Sequence, residues 1–426
     1  MNREILITQN LHWLGQTLTK KTHHRQIFDQ IYKELSFRPM VFLTGMRRVG
    51  KSTLIKQLLQ KLILERQVKP EQILFWEFHT QSTITDLEDL IKVYLDEIAD
   101  LNQEIYIFLD EIQFISGYEN VLKLYYDRYE NIHFVLTGSL SFSYKNRMQE
   151  SLAGRFVNYK LFPLSFPEYL QFSNQNEYFE KWHKAKLETN LNLKEGLARE
   201  LNPIFKTFLN SGRFPDTVVY QQNEQVKNYL ESVITQSLNQ DSVDYFKITK
   251  PREINFLYQY LVKNNGGEIS LDKIGKNLGL SWQTTSNYID ILELLGLIYI
   301  VNNTDNPLKL INIRKKIYTN SAFSLSFEAQ ILDSHLGFAV ESYVLERFLE
   351  QKKFIHFFRE RETEVDLIDY KSKSAYEIKF RSQIQESDFK NLLRISEKLK
   401  LSPKVITLFQ TASKNPEIEY LPACLI

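Results

Sequence analysis

The feature that most limits how this chain can fold is a glycine-bounded loop between an apolar run and an amphipathic helix. Residues 41–53 read VFLTGMRRVGKST and contain the pattern GxxxxGK[ST]. The apolar run before Gly45 predicts a buried strand, and the apolar spacing after Lys51 predicts a helix. A strand and a helix on either side of this pattern predict a phosphate-binding loop in an α/β core.

The residue types of the loop match the chemistry of a nucleotide phosphate. Glycines let the backbone wrap closely around an anion, and the amides at the N-terminus of the following helix point toward it. Lys51 is expected to neutralise the β- and γ-phosphates, and the Ser52 hydroxyl is expected to bind Mg²⁺. We therefore expect ATP and Mg²⁺ as ligands. The predicted nucleotide-binding residues are Gly45, Met46, Arg47, Arg48, Val49, Gly50, Lys51, Ser52 and Thr53.

A second apolar run ends in two carboxylates. Residues 105–111 read IYIFLDE, which is typical of a strand buried on both faces. Ligands of parallel sheets lie at the carboxyl ends of the strands, so Asp110 is expected to reach the Mg²⁺ ion. Glu111 is the predicted general base for the attacking water. The alternative is a strand that simply ends in an acidic turn.

Two further positions are candidates for contacts with the γ-phosphate. Thr137 ends a predicted strand at 133–137, Ser139 lies two residues beyond it, and either could sense the phosphate. Arg155 lies in a turn before another predicted strand, and it is a candidate finger that completes the site of a neighbouring subunit. The alternative is a surface arginine without a catalytic role.

Composition excludes several classes of protein. The chain of 426 residues is too long for one core, and its net charge of +1 supplies no global attraction to DNA or membranes. A single cysteine, Cys424, excludes a disulfide framework. With no apolar run of 18 residues, we expect a soluble, cytoplasmic protein. The three histidines His12, His23 and His24 are predicted to lie on a solvated helix face.

Together, several motifs resemble the prokaryotic AAA+ ATPases that carry a C-terminal domain of unknown function. They are the loop at 45–52, LDE at 109–111, TGS at 137–139, LAGR at 152–155 and PLSF at 163–166. The resemblance runs from about residue 25 to the end. It implies an α/β fold with a P-loop AAA+ core and parallel sheet at 1–162, a helical lid at 163–248, a winged helix-turn-helix at 249–320 and a PD-(D/E)XK nuclease-like domain at 321–426. Arg213 departs from the family, in which a small residue is expected.

The segment 268–300 can also be interpreted from its own pattern. A short amphipathic helix ends at Gly279, a second helix begins near Ser281, and a strand follows Gly296. This is the order of a winged helix-turn-helix, in which the second helix reaches base edges. The start of that helix lacks Lys and Arg, so its attraction to phosphates is weak. DNA binding and a role as a protein–protein spacer both remain open.

A second set of acidic residues follows near the C-terminus. Glu341 falls in a predicted helix, Asp366 in a predicted strand, and Glu377 and Lys379 on one face of the next strand. Asp366 and Glu377 are predicted to hold Mg²⁺ with help from Glu341, and Lys379 is predicted to position water or to stabilise the phosphorane. These four are candidate catalytic residues of a nuclease.

Two functional hypotheses follow. In the first, ATP turnover controls a DNA-directed C-terminal module, with DNA as partner. In the second, the chain is a signalling or assembly ATPase whose C-terminal module binds protein partners and has no nuclease activity. In both, Arg155 favours a homo-oligomer.

Overall fold

A computed structural model describes residues 3–138, 152, 154–210, 213–220, 222–303, 315–326, 333–413 and 415–426. The chain divides into two compact units, Met1–Leu161 and Phe162–Ile426. The first contains a five-stranded parallel sheet flanked by helices, and the second contains helices and a mixed five-stranded sheet. The predicted α/β class with a parallel P-loop core is confirmed. The four-part division of the chain stays a prediction.

The sheet of the first unit has the order β2-β3-β4-β1-β5, and every neighbouring pair is parallel. The central strands β1 and β3 are buried at every position, which explains why their sequences are uniformly apolar. Parallel pairing brings the carboxyl ends of the strands to one edge of the sheet. The strands are β1 (Met40–Thr44), β2 (Ile73–Glu77), β3 (Ile105–Asp110), β4 (Ile132–Gly138) and β5 (Phe156–Lys160).

Helices connect these strands. The helix after the glycine-rich loop buries its apolar stripe against the sheet, as its spacing predicts. The helix after β2 begins with a capping box in which Thr83 and Asp86 satisfy each other's backbone amides. The helices described in this unit are α1 (Arg3–Gln9), α2 (Phe28–Glu34), α3 (Lys51–Glu65), α4 (Ile84–Glu97) and α5 (Tyr118–Arg128).

The N-terminal segment covers the exposed edge of β2 with side chains. The Asn10 amide donates to the carbonyl of Phe75 at 3.0 Å and accepts from its N–H at 2.7 Å, as a neighbouring strand would. Two residues further along β2, Gln9 makes the same pair of bonds to Glu77. Unpaired strand edges invite pairing with other chains, so these amides protect the sheet.

One expectation about this segment is wrong. His12 was expected on a solvated helix face, but it is only 3% exposed, and its Nε2 lies 2.9 Å from the carbonyl oxygen of Ile73. Burial lowers the pKa of His12, which favours the neutral ring. Lone histidines in a polar sequence carry no pattern that reveals this contact.

The second unit begins with helices. The first of these starts with a capping box between Ser165 and Glu168, with Pro167 in its first turn, and this accounts for the serine of the PLSF sequence. The described helices of the unit are α6 (Phe166–Phe172), α7 (Asn176–Leu187), α8 (Leu191–Asn210), α9 (Asn223–Gln236), α10 (Ser242–Phe246), α11 (Pro251–Lys263), α12 (Leu271–Leu278), α13 (Trp282–Leu294), α14 (Asp333–Glu350) and α15 (Lys390–Leu399).

Two sheets complete this unit. A small antiparallel sheet has the order β6-β8-β7, with β6 between α11 and α12 and with β7 and β8 after α13. The larger sheet has the order β13-β12-β11-β10-β9. Helices α6 and α8 share one hydrophobic core with α14 and the larger sheet. The strands are β6 (Glu268–Ile269), β7 (Ile298–Asn302), β8 (Lys315–Thr319), β9 (Ile355–Glu360), β10 (Thr363–Asp369), β11 (Ser374–Lys379), β12 (Ser402–Thr407) and β13 (Glu419–Pro422).

A buried ion pair joins three distant segments of this unit. The Arg213 guanidinium, 1% exposed, pairs with Glu346 on α14 and also bonds the Ser321 hydroxyl. Its Nε donates to the carbonyl of Leu164 at 3.0 Å. The residue that departs from the family pattern therefore holds segments around positions 164, 321 and 346 together.

In the described part of the chain, no helix is both long and apolar enough to cross a membrane.

The burial of this pair predicts a large effect on stability. Replacing Arg213 by alanine leaves Glu346 as an uncompensated buried charge, which costs about 3–5 kcal/mol. We expect Arg213→Ala to lower the free energy of unfolding of the second unit by that amount, measured by urea denaturation followed through tryptophan fluorescence. The double variant Arg213→Met/Glu346→Leu should recover much of the loss, because no charge is left buried.

The matched control is Lys227→Ala, which removes an exposed pair with Glu231. It should change stability by at most about 0.5 kcal/mol. If Arg213→Ala is no more destabilising than Lys227→Ala, the ion pair does not hold the segments together.

Candidate functional site

The loop between β1 and α3 has the backbone of an anion-binding turn. Gly45 has a φ of 152°, and a Cβ at this position would lie 2.4 Å from the carbonyl oxygen of Leu161. Gly50, directly before α3, has a φ of 99°, and Arg48 has a φ of 64°. Only glycine fits at Gly45, because both the conformation and the close approach exclude a side chain.

The lysine of this loop is enclosed by the loop itself. Lys51 is 4% exposed, and its Nζ donates to the carbonyl oxygens of Gly45 at 2.9 Å and Met46 at 3.0 Å. These bonds hold the ammonium group across the mouth of the turn. A phosphate seated on the loop amides would meet this charge, as the predicted role requires.

A second basic residue supports the loop and was missed from the sequence. Arg25 is 4% exposed, and its Nη1 donates to the carbonyl of Val49 at 2.6 Å. Nearby, the Gln57 side chain of α3 donates to the backbone of Lys21 and His23. The segment before α2 thus fixes the loop from outside, a long-range contact that no local pattern reveals.

The acid predicted to reach Mg²⁺ lies at the carboxyl end of β3. Asp110 is fully buried, and Thr137 at the end of β4 donates a hydrogen bond to its Oδ1. Burial raises the pKa of Asp110, while the side chains of Ser52 and Thr137 oppose the rise. In the described residues, Oδ2 of Asp110 is buried and has no hydrogen-bond partner. An anionic oxygen of this kind beside the Ser52 hydroxyl suits a hard cation such as Mg²⁺.

The neighbouring glutamate is held in an unusual backbone conformation. Glu111 has a φ of 54°, and its N–H lies 3.1 Å from Asp110 Oδ1 and 3.2 Å from Thr137 Oγ1. The Gln113 side chain donates to Glu111 Oε2. The structure therefore brings Glu111, Asp110 and Thr137 together. Ser139, the other candidate sensor, lies outside the described residues.

A further carboxylate at this edge was not predicted as a site residue. Glu77 ends β2 and stands opposite Asp110 in the parallel register. Burial raises the pKa of Glu77, and the charge of Asp110 raises it further. Its position at the carboxyl end of a parallel strand is the signal that could have identified it.

The candidate finger lies at the opposite edge of the sheet. Arg155 immediately precedes β5, and its carbonyl accepts from the N–H of Met40 at the start of β1. Its guanidinium forms two bonds to Asp127, at 2.9 and 3.2 Å. The phosphate loop follows the other end of β1, so Arg155 does not belong to the site of its own chain.

The second set of predicted residues is also brought together. Asp366 on β10 accepts from the N–H of Ile378 on β11 at 2.8 Å, and Lys379 Nζ lies 2.6 Å from Glu377 Oε1. Burial raises the pKa of Glu341 on α14 to about 8, and the charge of Asp366 contributes. The pKa of Glu377 is raised to about 8 for the same two reasons. The helix and the hairpin thus bring Glu341, Asp366, Glu377 and Lys379 close together.

A lysine from the small sheet joins this carboxylate cluster, which comprises Glu341, Asp366 and Glu377. Lys316 on β8 is 4% exposed and forms an ion pair with Glu364 on β10. Its charge opposes the rise in the pKa of Asp366 that burial causes. Nothing in the local sequence of Lys316 predicts this contact, because it spans separate segments.

The two acidic sites differ in how they suit a metal ion. Among the residues that the structure describes, no three or more His, Cys, Asp or Glu side chains are arranged to hold one. At the phosphate loop this does not matter, since Mg²⁺ there needs one or two protein oxygens and takes its other ligands from water and phosphate. Asp110 and Ser52 fit that need. The carboxylate cluster presents no such set of three, and lysines offset its charge, so Mg²⁺ at Asp366 and Glu377 stays a prediction.

The chain matches three protein-family models. Residues 37–170 match an AAA domain, residues 202–323 a domain of unknown function (DUF8612), and residues 336–423 a second domain of unknown function (DUF4143). The first match covers the parallel sheet, the phosphate loop and the two acids of β3. The third covers the carboxylate cluster.

Three proteins with similar sequences are uncharacterized. One from Haemophilus influenzae is 24% identical over 68% of this chain and 67% of its own length. Two from Methanocaldococcus jannaschii are 25% and 26% identical over 79% and 63% of this chain, and over 70% and 58% of their own lengths.

Two solved structures superpose on this chain at a distance. The Aeropyrum pernix ORC1 protein in complex with DNA is 12% identical, with a TM-score of 0.36 over 77% of this chain and 97% of its own. The Saccharomyces cerevisiae Hsp104:casein complex is 15% identical, with a TM-score of 0.34 over 67% and 52%. Scores this low carry no argument about fold or function. Residues 37–170 thus match an AAA domain, and the loop within them has the backbone of a phosphate-binding turn.

Proposed function

We propose that this chain is a Mg²⁺-dependent ATPase of the AAA+ type. The observation that carries the proposal is the environment of Asp110. This carboxylate is fully buried at the carboxyl end of β3, Ser52 and Lys51 of the phosphate loop both act on its pKa, and its Oδ2 has no partner among the described residues. A buried anion in that position favours a bound cation beside the phosphates.

The loop residues have distinct tasks in this proposal. The amides of 45–52 bind the phosphates, and the enclosed Lys51 ammonium neutralises their charge. Asp110 and Ser52 would hold Mg²⁺, which offsets the charge on the β- and γ-phosphate oxygens when bound. Arg25 keeps the loop closed through Val49.

Glu111 supplies the base for hydrolysis. Its carboxylate accepts a proton from water while the water oxygen bonds to the γ-phosphorus. The bond between the γ-phosphorus and the bridging oxygen breaks, and its electron pair leaves with ADP. Thr137 keeps the Glu111 backbone in place through the 3.2 Å hydrogen bond to its N–H.

Variants of two residues separate binding from hydrolysis. We expect Lys51→Ala to abolish ATP binding, and Glu111→Gln to bind ATP while hydrolysing it about 10²–10⁴ times more slowly, the usual contribution of a general base. Phosphate release and equilibrium ATP binding are the two measurements. Lys61→Ala, on the same helix but paired with Asp29 of α2, is the matched control and should retain both. Equal rates in the wild type and Glu111→Gln would reject the assignment.

We further propose that the chain acts as a homo-oligomer in which Arg155 completes the site of a neighbouring subunit. The position of Arg155 at the sheet edge away from its own phosphate loop supports this, because a finger at that edge can act only in trans. The exposed pair with Asp127 contributes little to stability.

Arg155 is therefore expected to matter for turnover and not for folding. Arg155→Ala should slow ATP hydrolysis at least tenfold while leaving ATP affinity unchanged, since fingers contribute about 10³–10⁵ in other NTPases. Asp127→Asn is the control, because it removes the ion pair but keeps the Arg155 guanidinium. Unchanged turnover in Arg155→Ala, together with a monomeric mass for ATP-bound Glu111→Gln in light scattering, would contradict the oligomeric site.

The second unit is proposed to engage DNA through α12 and α13. The order of α12, α13 and the β7–β8 pair supports a winged helix-turn-helix, and Gln283 and Asn287 of α13 are exposed. Lys273 and Lys276 on α12 are also exposed and supply the positive charge that α13 lacks. The carboxylate cluster with Lys379 is the candidate catalytic centre of a nuclease-like domain.

DNA binding should depend on those lysines and on salt. The double variant Lys273→Ala/Lys276→Ala should weaken duplex binding by the full chain and reduce the slope of log K against log salt by about 2, measured by fluorescence anisotropy. Lys206→Ala/Lys227→Ala is a charge-matched control on other helices and should leave the slope unchanged.

The outcome also decides between the two functions proposed for this unit. Cleavage that is lost in Asp366→Asn and Lys379→Ala, with ATP hydrolysis retained, would assign the carboxylate cluster to DNA cleavage. Glu360→Gln on neighbouring β9 is the matched control for that assay. If the full chain with ATP neither binds nor cuts DNA, the alternative holds, namely a signalling or assembly ATPase that recognises protein partners.

A further inference from the structure

The backbone around the predicted general base is fixed, but its side chain has torsions of its own. Glu111 adopts a left-handed conformation, φ 54° and ψ 40°, that non-glycine residues seldom occupy. Its N–H is anchored to Asp110 and Thr137. These contacts fix the backbone of Glu111. They do not fix the side-chain torsions, which determine the position of the carboxylate.

A glutamine two residues further on holds that carboxylate. Gln113 lies in the single helical turn Ile112–Phe114 that Glu111 precedes, and its Nε2 donates to Glu111 Oε2. Both side chains are half-buried. A bond to Oε2 restricts the rotation of the carboxylate. It leaves Oε1 as the oxygen that receives the proton.

The glutamine in turn rests on the end of β4. A Cβ added at Gly138 would lie 2.9 Å from Gln113 Oε1 and 3.5 Å from Phe42 Cζ. The φ of Gly138 is not in the left-handed range, so its backbone would tolerate alanine. The space that glycine leaves is therefore used by the Gln113 amide.

We propose that Gln113 is a positioning residue for ATP hydrolysis, acting through Glu111 and seated against Gly138. This inference rests on the proposed ATPase function. Gly138 pairs with Thr44 at the end of β1 and directly precedes Ser139, one of the two candidate γ-phosphate sensors. Gly138 on β4 contacts Gln113, and Gln113 in turn contacts Glu111. The orientation of the base therefore depends on the strand that leads to the phosphate.

The test compares variants of these contacting residues in the full-length protein. Gln113→Ala removes the hydrogen bond, and Gly138→Ala displaces the amide while leaving Gln113 present. Each should lower kcat for ATP hydrolysis about 10- to 100-fold with unchanged ATP affinity, since a displacement of about 1 Å can cost a factor of 10². Gln103→Ala is the control, because its side chain bonds to Asp100 in the loop before β3, and it should retain full activity.

A double variant distinguishes positioning from a merely structural role. If Gln113 acts through Glu111, then Gln113→Ala in the Glu111→Gln background should cause no further loss in single-turnover hydrolysis of radiolabelled ATP. A further loss equal to that in the wild-type background would overturn the proposal, and so would full kcat in Gln113→Ala. An unfolded Gln113→Ala protein would be recognised by lost ATP binding, and Gly138→Ala then decides.

Different results would show that Gln113 has no positioning role and that the proposed ATPase function is wrong. If wild type and Glu111→Gln hydrolyse ATP equally, the ATPase assignment fails and the role of Gln113 fails with it. If they differ as expected while Gln113→Ala and Gly138→Ala both match the wild type, only the role of Gln113 is wrong.

Discussion

The burial of Asp110 at the carboxyl end of β3 is the constraint on which the rest of the candidate site depends. A carboxylate in a fully buried position is stable only if nearby groups stabilise its charge. Thr137 from β4 donates to it, and Lys51 and Ser52 from the phosphate loop lower the pKa that burial raises. Parallel pairing of β1, β3 and β4 places all of these groups at one edge.

The same edge explains why the loop and the two acids act as one unit. The loop can adopt its shape only because Gly45 passes under the carbonyl of Leu161, and Arg25 closes it from outside through Val49. Glu111 is strained and anchored by Thr137. All of these features lie at the carboxyl edge of the sheet, where the phosphates are proposed to bind.

Sequence reasoning succeeded where chemistry is local and failed where it depends on distant contacts. The phosphate loop and the acids that end β3 follow from residue type, spacing and apolar runs, so they could be predicted. Arg25 and Lys316 act through contacts with distant residues that no periodicity encodes. Arg213 illustrates the same limit, because its partner Glu346 lies far along the chain and its burial appears only in the fold.

The most direct test of the account is hydrogen–deuterium exchange of the full chain with and without ATP and Mg²⁺. If the loop amides bind phosphate, ATP with Mg²⁺ should slow exchange in peptides covering residues 45–53, and it should not do so in Lys51→Ala. Exchange at the loop that is unaffected by saturating ATP in the wild type, or slowed equally in Lys51→Ala, would contradict the assignment of this loop as the nucleotide site.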